Sequence, residues 1–150
     1  MIYTRTAVDV SEAMRIRNEK VKTFQELTEG DINTLERGTM TVNTLNRIED
    51  KQAELKNLFN DMGYWNTPIQ NKRWDATQIF DTSEFQRIID NTNVLRNAFF
   101  VYKDTPGTPP MSYHYEDINA LEKILYDLDV MINDVKSNYR ECGTFECGEE

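Results

Sequence analysis

Near the end of the chain, in ECGTFECGEE, Cys142 and Cys147 are each followed by glycine. Thiolates beside tight-turn glycines have the chemistry of half a zinc site, but zinc wants a full tetrahedral ligand set. His114 is the single histidine and lies far away in sequence, so a metal would need ligands from a second subunit. Three other readings stand beside it: a disulfide formed after release from a reducing compartment, plain turn cysteines, and an extended tail that pairs with a partner. A lone histidine also excludes most nucleophile–histidine triads within one chain. The acidic pairs Asp127/Asp129 and Glu149/Glu150 have no distinctive acid–base spacing and read as solvated surface. No Gly-rich phosphate loop is present. The expectation is a chain that is not an enzyme, with no catalytic residue, no cofactor and no metal of its own.

Two polar residues stand where apolar ones are expected. Gln52 and Thr92 each follow the start of a helical stripe by the same interval, and Leu125 takes that place in a third stripe. A polar residue in a core layer can fix helix register and oligomer state, which makes Gln52 and Thr92 candidate interface residues. Equally, a small helix rotation would turn the Gln52 amide to water, and the Thr92 hydroxyl can bond back to the Ile88 carbonyl. Tyr64, Trp65 and Trp74 make an aromatic loop cluster. Trp74 reads as a core plug, while Tyr64 and Trp65 are either core or interface anchors. Ile2, Tyr3 and Phe145 lie outside the helical stripes and are candidate contact residues of the two tails.

Three helices must position these groups, and they begin alike. MTVNTLNRIE, FDTSEFQRII and YHYEDINALE each pair a large apolar residue with another five positions later: Met40/Leu45, Phe80/Phe85 and Tyr113/Ile118. That is the spacing of a hydrophobic staple. Thr41 and Asp81 fall at N-cap, and Glu84 and Asp117 at N3, where a carboxylate can reach back. In the third copy the cap position holds His114, a poor choice, so Ser112 is the alternative. Behind the staples run Leu45, Ile48, Leu55, Phe59 and Met62, ending at Gly63; then Phe85, Ile88, Leu95 and Phe99; then Ile118, Leu121, Leu125, Leu128, Ile132 and Val135. These narrow stripes are what packed helices require.

An earlier helical stretch is expected over 11–27, with Val10, Met14, Val21 and Phe24 as its apolar edge. DINTLERG should form a short helical turn closed by Gly38. KDTPGTPPM, with three of the four prolines, must be a stiff extended connection. The fold class is therefore all-α: one helical domain over 1–150, a bundle of three staple-started helices plus an N-terminal helix. An extended arm is expected over about 1–10 and a Cys-Gly tail over about 140–150.

The net charge of −9 repels a phosphate backbone, and no Lys/Arg run offsets it. Arg15, Arg17, Lys20 and Lys22 are diluted by Glu12 and Glu19 and read as a solvated helix face. No stretch is apolar enough to span a bilayer, and the first residues lack the apolar core of a secretory signal. Neither nucleic acid nor membrane is expected as a partner, and the cysteines should start out reduced in a cytoplasm.

The segment TVNTLNRIEDKQAEL (41–55) resembles a motif of structural proteins from tailed bacteriophages and prophages of Gram-positive hosts. There a phrase like YTRTAVDV (3–10) leads into a helix reading L-N-R-I-E, as Leu45-Asn46-Arg47-Ile48-Glu49 does here. The resemblance implies a virion component of the tail, baseplate or fibre-attachment region, assembled in the host cytoplasm, with other virion proteins as partners and a homo-oligomeric state. It implies no active site. A cytoplasmic helical adaptor unconnected with virions, and a metal-dependent regulator using the terminal cysteines, are the alternatives.

Overall fold

In each helix the first turn explains the start. The computed structural model describes residues 1–63 and 69–142, the side chains of 139–142 excepted. It contains α1 (Ala7–Ile16), continued by a π-turn (Arg17–Val21), then α2 (Glu29–Gly38), α3 (Val42–Asp61), α4 (Thr82–Ala98) and α5 (Tyr115–Cys142). No strand occurs among the described residues. Thr41 and Asp81 cap α3 and α4 as expected, accepting the Thr44 and Glu84 amides at 3.2 and 3.0 Å. The rings of Phe80 and Phe85 meet edge to face at 5.8 Å, so that staple is closed. Past α3, Gly63 takes a φ of +83°, a left-handed conformation that glycine adopts without a Cβ penalty.

The third start differs. The Ser112 hydroxyl bonds the Asp117 carboxylate, and Tyr113, at φ +58°, stacks on Phe85 of α4 with ring centroids 4.8 Å apart. Of the two N3 carboxylates, Asp117 thus reaches back, to the Ser112 hydroxyl, whereas Glu84 does not. Glu84 instead binds Arg87 at 2.8 Å and the Lys72 ammonium. Capping boxes lie elsewhere, at Thr6/Asp9 and Thr28/Asp31.

The three long helices run parallel, each touching the other two. Arg87 meets Glu49 while Thr92 meets Gln52 further along, so α3 and α4 ascend together. Arg47 meets Glu122 and Lys51 meets Asp129, so α5 ascends with α3. Parallel neighbours need long returns, and these are extended chains lying against the helices. Residues 69–74 descend α3, since Lys56 bonds the Ile69 carbonyl and Asn46 the Trp74 backbone. The proline-rich return descends α4, from Arg96 on the Pro106 carbonyl to the Tyr113 hydroxyl at Thr82. The N-terminal arm descends α5, with the Ile2 amide on Glu122 and the Arg5 amide on Asn119.

One unit therefore recurs three times: an extended segment laid on the preceding helix of the ring, then a staple, then a helix. Equivalent positions stack into buried layers, Ile48/Ile88/Leu121, Gln52/Thr92/Leu125 and Leu55/Leu95/Leu128, with no member above 1 % exposure. Among the described residues only the first unit carries an inserted hairpin, α1–α2, between arm and staple.

That hairpin corrects the expected N-terminus. The helix starts at Ala7, not Ser11, so the arm covers residues 1–6. Its buried face is Ala13 and Ile16, whereas Met14 and Val21 are 41 % exposed and Phe24, at the tip, is 96 % exposed. The cause lies in Gly38. It does not close a turn; it ends α2 where a Cβ would sit 2.1 Å from the Asp9 carbonyl oxygen. That close approach sets which face of α1 is covered. DINTLERG is thus part of a full helix, and α5 likewise continues as helix through Cys142 into the expected tail.

Candidate functional site

Two carboxylates sit at the same register of two helices and are wholly buried, Glu49 on α3 and Glu122 on α5. Burial of a charge is tolerated only with full pairing. Each is built into a clamp made from Asn-x-x-Glu. The Asn46 side chain grips the Trp74 backbone from both sides, its amide donating to the carbonyl at 3.0 Å and its oxygen accepting the N–H at 2.7 Å. Asn119 holds Arg5 in the same manner, at 2.9 and 3.1 Å. One turn on, Glu49 accepts the Lys72 amide at 2.7 Å and the Trp74 indole N–H at 2.8 Å. Glu122 accepts the Ile2 amide at 3.0 Å and the Arg5 guanidinium at 2.7 Å.

A neighbouring helix completes each clamp with an arginine from one equivalent position. Arg47 reaches Glu122 through Nε at 2.8 Å, and Arg87 reaches Glu49 through Nη2 at 2.5 Å. On the third side the corresponding residues are Ala120 and Ile89, an apolar replacement of the same pair. Arg47 also binds Glu36 of α2 at 2.8 Å, joining the hairpin to the bundle. Burial pushes the Glu49 carboxyl up, but Arg87, the Lys72 amide and Trp74 outweigh it and hold the group below its ordinary value. Glu36 is likewise raised by burial and brought below its usual value by Thr41, Arg47 and Thr44. Depressed folded values mean stability that is present above the unfolded pKa and lost as pH falls through the folded one. Circular dichroism should therefore stay constant from about pH 8 to 5 and lose helix below about pH 4; loss near neutrality would contradict this account.

The arm clamp gives a local prediction. Asn119→Ala leaves the Arg5 backbone N–H and carbonyl without that partner, and should cost about 1–2 kcal/mol. Faster exchange of the Arg5 amide, with α3 and α4 amides unchanged, is the expected signature.

Gln52 and Thr92 meet inside the chain. The Gln52 amide donates to Thr92 Oγ1 at 2.8 Å and to the Ile88 carbonyl at 2.9 Å, and Thr92 donates back to that same carbonyl at 2.9 Å. Asn71 satisfies the Gln52 oxygen at 2.9 Å. Gln52 is not turned to water, and the pair sets the register of α3, α4 and the first return within one chain. Trp74 is core, 5 % exposed. Tyr64, Trp65, Phe145 and Cys147 lie outside the described residues. Ile2 and Tyr3 are half-buried, and Tyr3 packs on Tyr126 of α5 with centroids 5.1 Å apart, so the arm contacts its own bundle. Asp127 is buried by Thr105 and Lys123 at 2.6 and 2.5 Å, and Asp129 faces Lys51. His114 and Cys142 bracket the whole of α5, 28 residues and so about 42 Å apart along its axis. They cannot share an ion within one chain.

Sequence reasoning passed over the Asn-x-x-Glu clamps. Their signal was available in LNRIE and INALE, where asparagine and glutamate fall beside the apolar stripe at matching positions. What a sequence cannot show is the extended backbone that they hold.

A further feature is a trough at the base of the bundle, between the hairpin and the starts of α3 and α5. Hollows of about 230 and 330 Å³ share Thr39 and Met40. Among the described residues no helix is long and apolar enough to cross a membrane, and no group of three metal-ligating side chains occurs. No family model matches the chain, and neither a curated protein nor a solved structure matches it.

Proposed function

We propose that this chain is a non-enzymatic structural component of a phage tail, baseplate or fibre-attachment assembly, connecting other virion proteins. The observation that carries the reading is the use made of the phage-like motif. Of LNRIE, Leu45 and Ile48 fill the core, Asn46 and Glu49 hold the first return, and Arg47 bridges α5 and α2. The part of the chain that resembles virion proteins is thus a scaffold for parallel helices, which suits a rigid connector. The α1–α2 hairpin, inserted in one unit of three, breaks the internal symmetry and offers a surface for a single kind of neighbour.

Mass spectrometry of particles purified after induction of a host carrying the gene tests this. Stoichiometric recovery with tail proteins, and tail-defective particles when the gene is deleted, support the role. Absence from particles that assemble normally without the gene would favour a cytoplasmic helical adaptor.

A further inference from the structure

The trough at the base has an apolar floor of Val10, Val21, Leu35, Met40 and Tyr113, with Arg17 at one end. We propose that it receives the C-terminal segment of a second copy of this chain, with Phe145 among those apolar side chains and Glu146, Glu149 and Glu150 toward Arg17 and Lys22. This deepens the structural role, on which it rests, by naming a contact through which copies join.

Reach excludes the chain's own tail. The trough lies at the start of α5, whose 28 residues carry Cys142 about 42 Å away. Phe145 follows three residues later and extends at most about 10 Å beyond that point. A neighbour stacked head to tail has no such gap to cross, because its Cys142 end faces the base of the next copy.

Charge points the same way. Residues 141–150 carry four glutamates and no lysine or arginine. On the hairpin, Arg15 is held by Glu12 and Glu19, Lys20 by Asp31, and Arg37 by Asp9. Arg17 and Lys22 are exposed and in no ion pair among the described residues. Glu116 is exposed near the Tyr113 end, so the acidic residues of the tail belong at the Arg17 end, which fixes the direction of the segment. Parallel α3, α4 and α5 also place their three positive poles at the base and their negative poles opposite. Such a bundle attracts its own kind end to end, through a heterologous contact that closes into a ring or propagates.

The test is light scattering of the purified full-length protein, in reductant to exclude disulfide-linked species, over a wide concentration range. The wild type should exceed monomer mass increasingly with concentration. Val21→Asp, at an exposed trough position, and Phe145→Ser should each keep the wild-type circular dichroism and weaken association by about tenfold or more. An equimolar mixture of the two variants should recover a species of twice the monomer mass and nothing larger, since one copy supplies the intact tail and the other the intact trough. A wild type that stays monomeric, variants that associate like the wild type, or a mixture that fails to combine would each overturn the contact. None of these results touches the particle-content test, so the two ideas fail separately.

Discussion

Replacing Arg87 with alanine is expected to destabilise the fold by about 3 kcal/mol, because the change strands a buried carboxylate. Glu49 is fully buried, and Arg87 supplies two of its contacts, at 2.5 and 3.0 Å. The Lys72 amide and Trp74 indole remain, but neither carries a full charge to offset the carboxylate. Without Arg87 the burial that already pushes Glu49 up is opposed by less, so its folded pKa rises. The sign then reverses relative to the wild type: the penalty is greatest at neutral pH and shrinks as acid protonates Glu49. Urea melts at about pH 7 and about pH 4.5 should show the wild-type–variant gap closing toward acid. Adding Glu49→Gln to the variant should recover part of the loss, because a neutral amide oxygen can still accept from Trp74. As a control, Arg73→Ala breaks the pair with Asp50, whose partners are 72 % and 60 % exposed, and should change nothing measurable. Equal losses for Arg87→Ala and Arg73→Ala would refute the buried-charge account.

What could be read in advance follows from which interactions are local. Staples, caps and stripes act within a few residues, so Thr41, Asp81, Gly63 and the three long helices are visible in the order of side chains alone. The layer holding Gln52, Thr92 and Leu125 is also visible as an exception to a stripe, although not its closure by Asn71 from a distant return. Helix direction is a different matter. Parallel packing depends on returns long enough to run back, and the backbone grip of Asn46 and Asn119 on those returns is a contact between segments far apart in sequence. The N-terminal stretch misleads because the stripe residues Met14, Val21 and Phe24 face outward, while Ile16, off that stripe, is buried with Ala13. Small residues, Ala13 and Gly38, set how closely α1 and α2 approach, and hydrophobic periodicity gives small residues little weight. The same error hid the candidate contact surface, since the stripe taken for a core edge is part of the trough wall.

Gly38→Ala is the second large effect, and it should separate the hairpin from the bundle. The added Cβ would lie 2.1 Å from the Asp9 carbonyl oxygen, 2.4 Å from the Ala13 Cβ and 2.8 Å from the Asp9 carbonyl carbon. None of these is the end of a flexible side chain, so α1 and α2 must move apart. Forced overpacking costs about 1–3 kcal/mol, and rigid neighbours put this site at the upper end. The loss should be local: hydrogen exchange is expected to speed up in α1 and α2 while the amides of the Ile48/Ile88/Leu121 and Leu55/Leu95/Leu128 layers keep their protection. Gly30→Ala is the matched control. Its Cβ would meet only Thr28 Oγ1 at 3.7 Å, and alanine is the better helix former by about 0.8–1 kcal/mol, so that variant should be neutral or stabilised. If Gly38→Ala behaved like Gly30→Ala, the hairpin would not be held by close helix approach. Because Gly38 and Val10 also border the trough, a hairpin loosened at this one residue should abolish association of copies in a chain whose three-helix bundle stays folded.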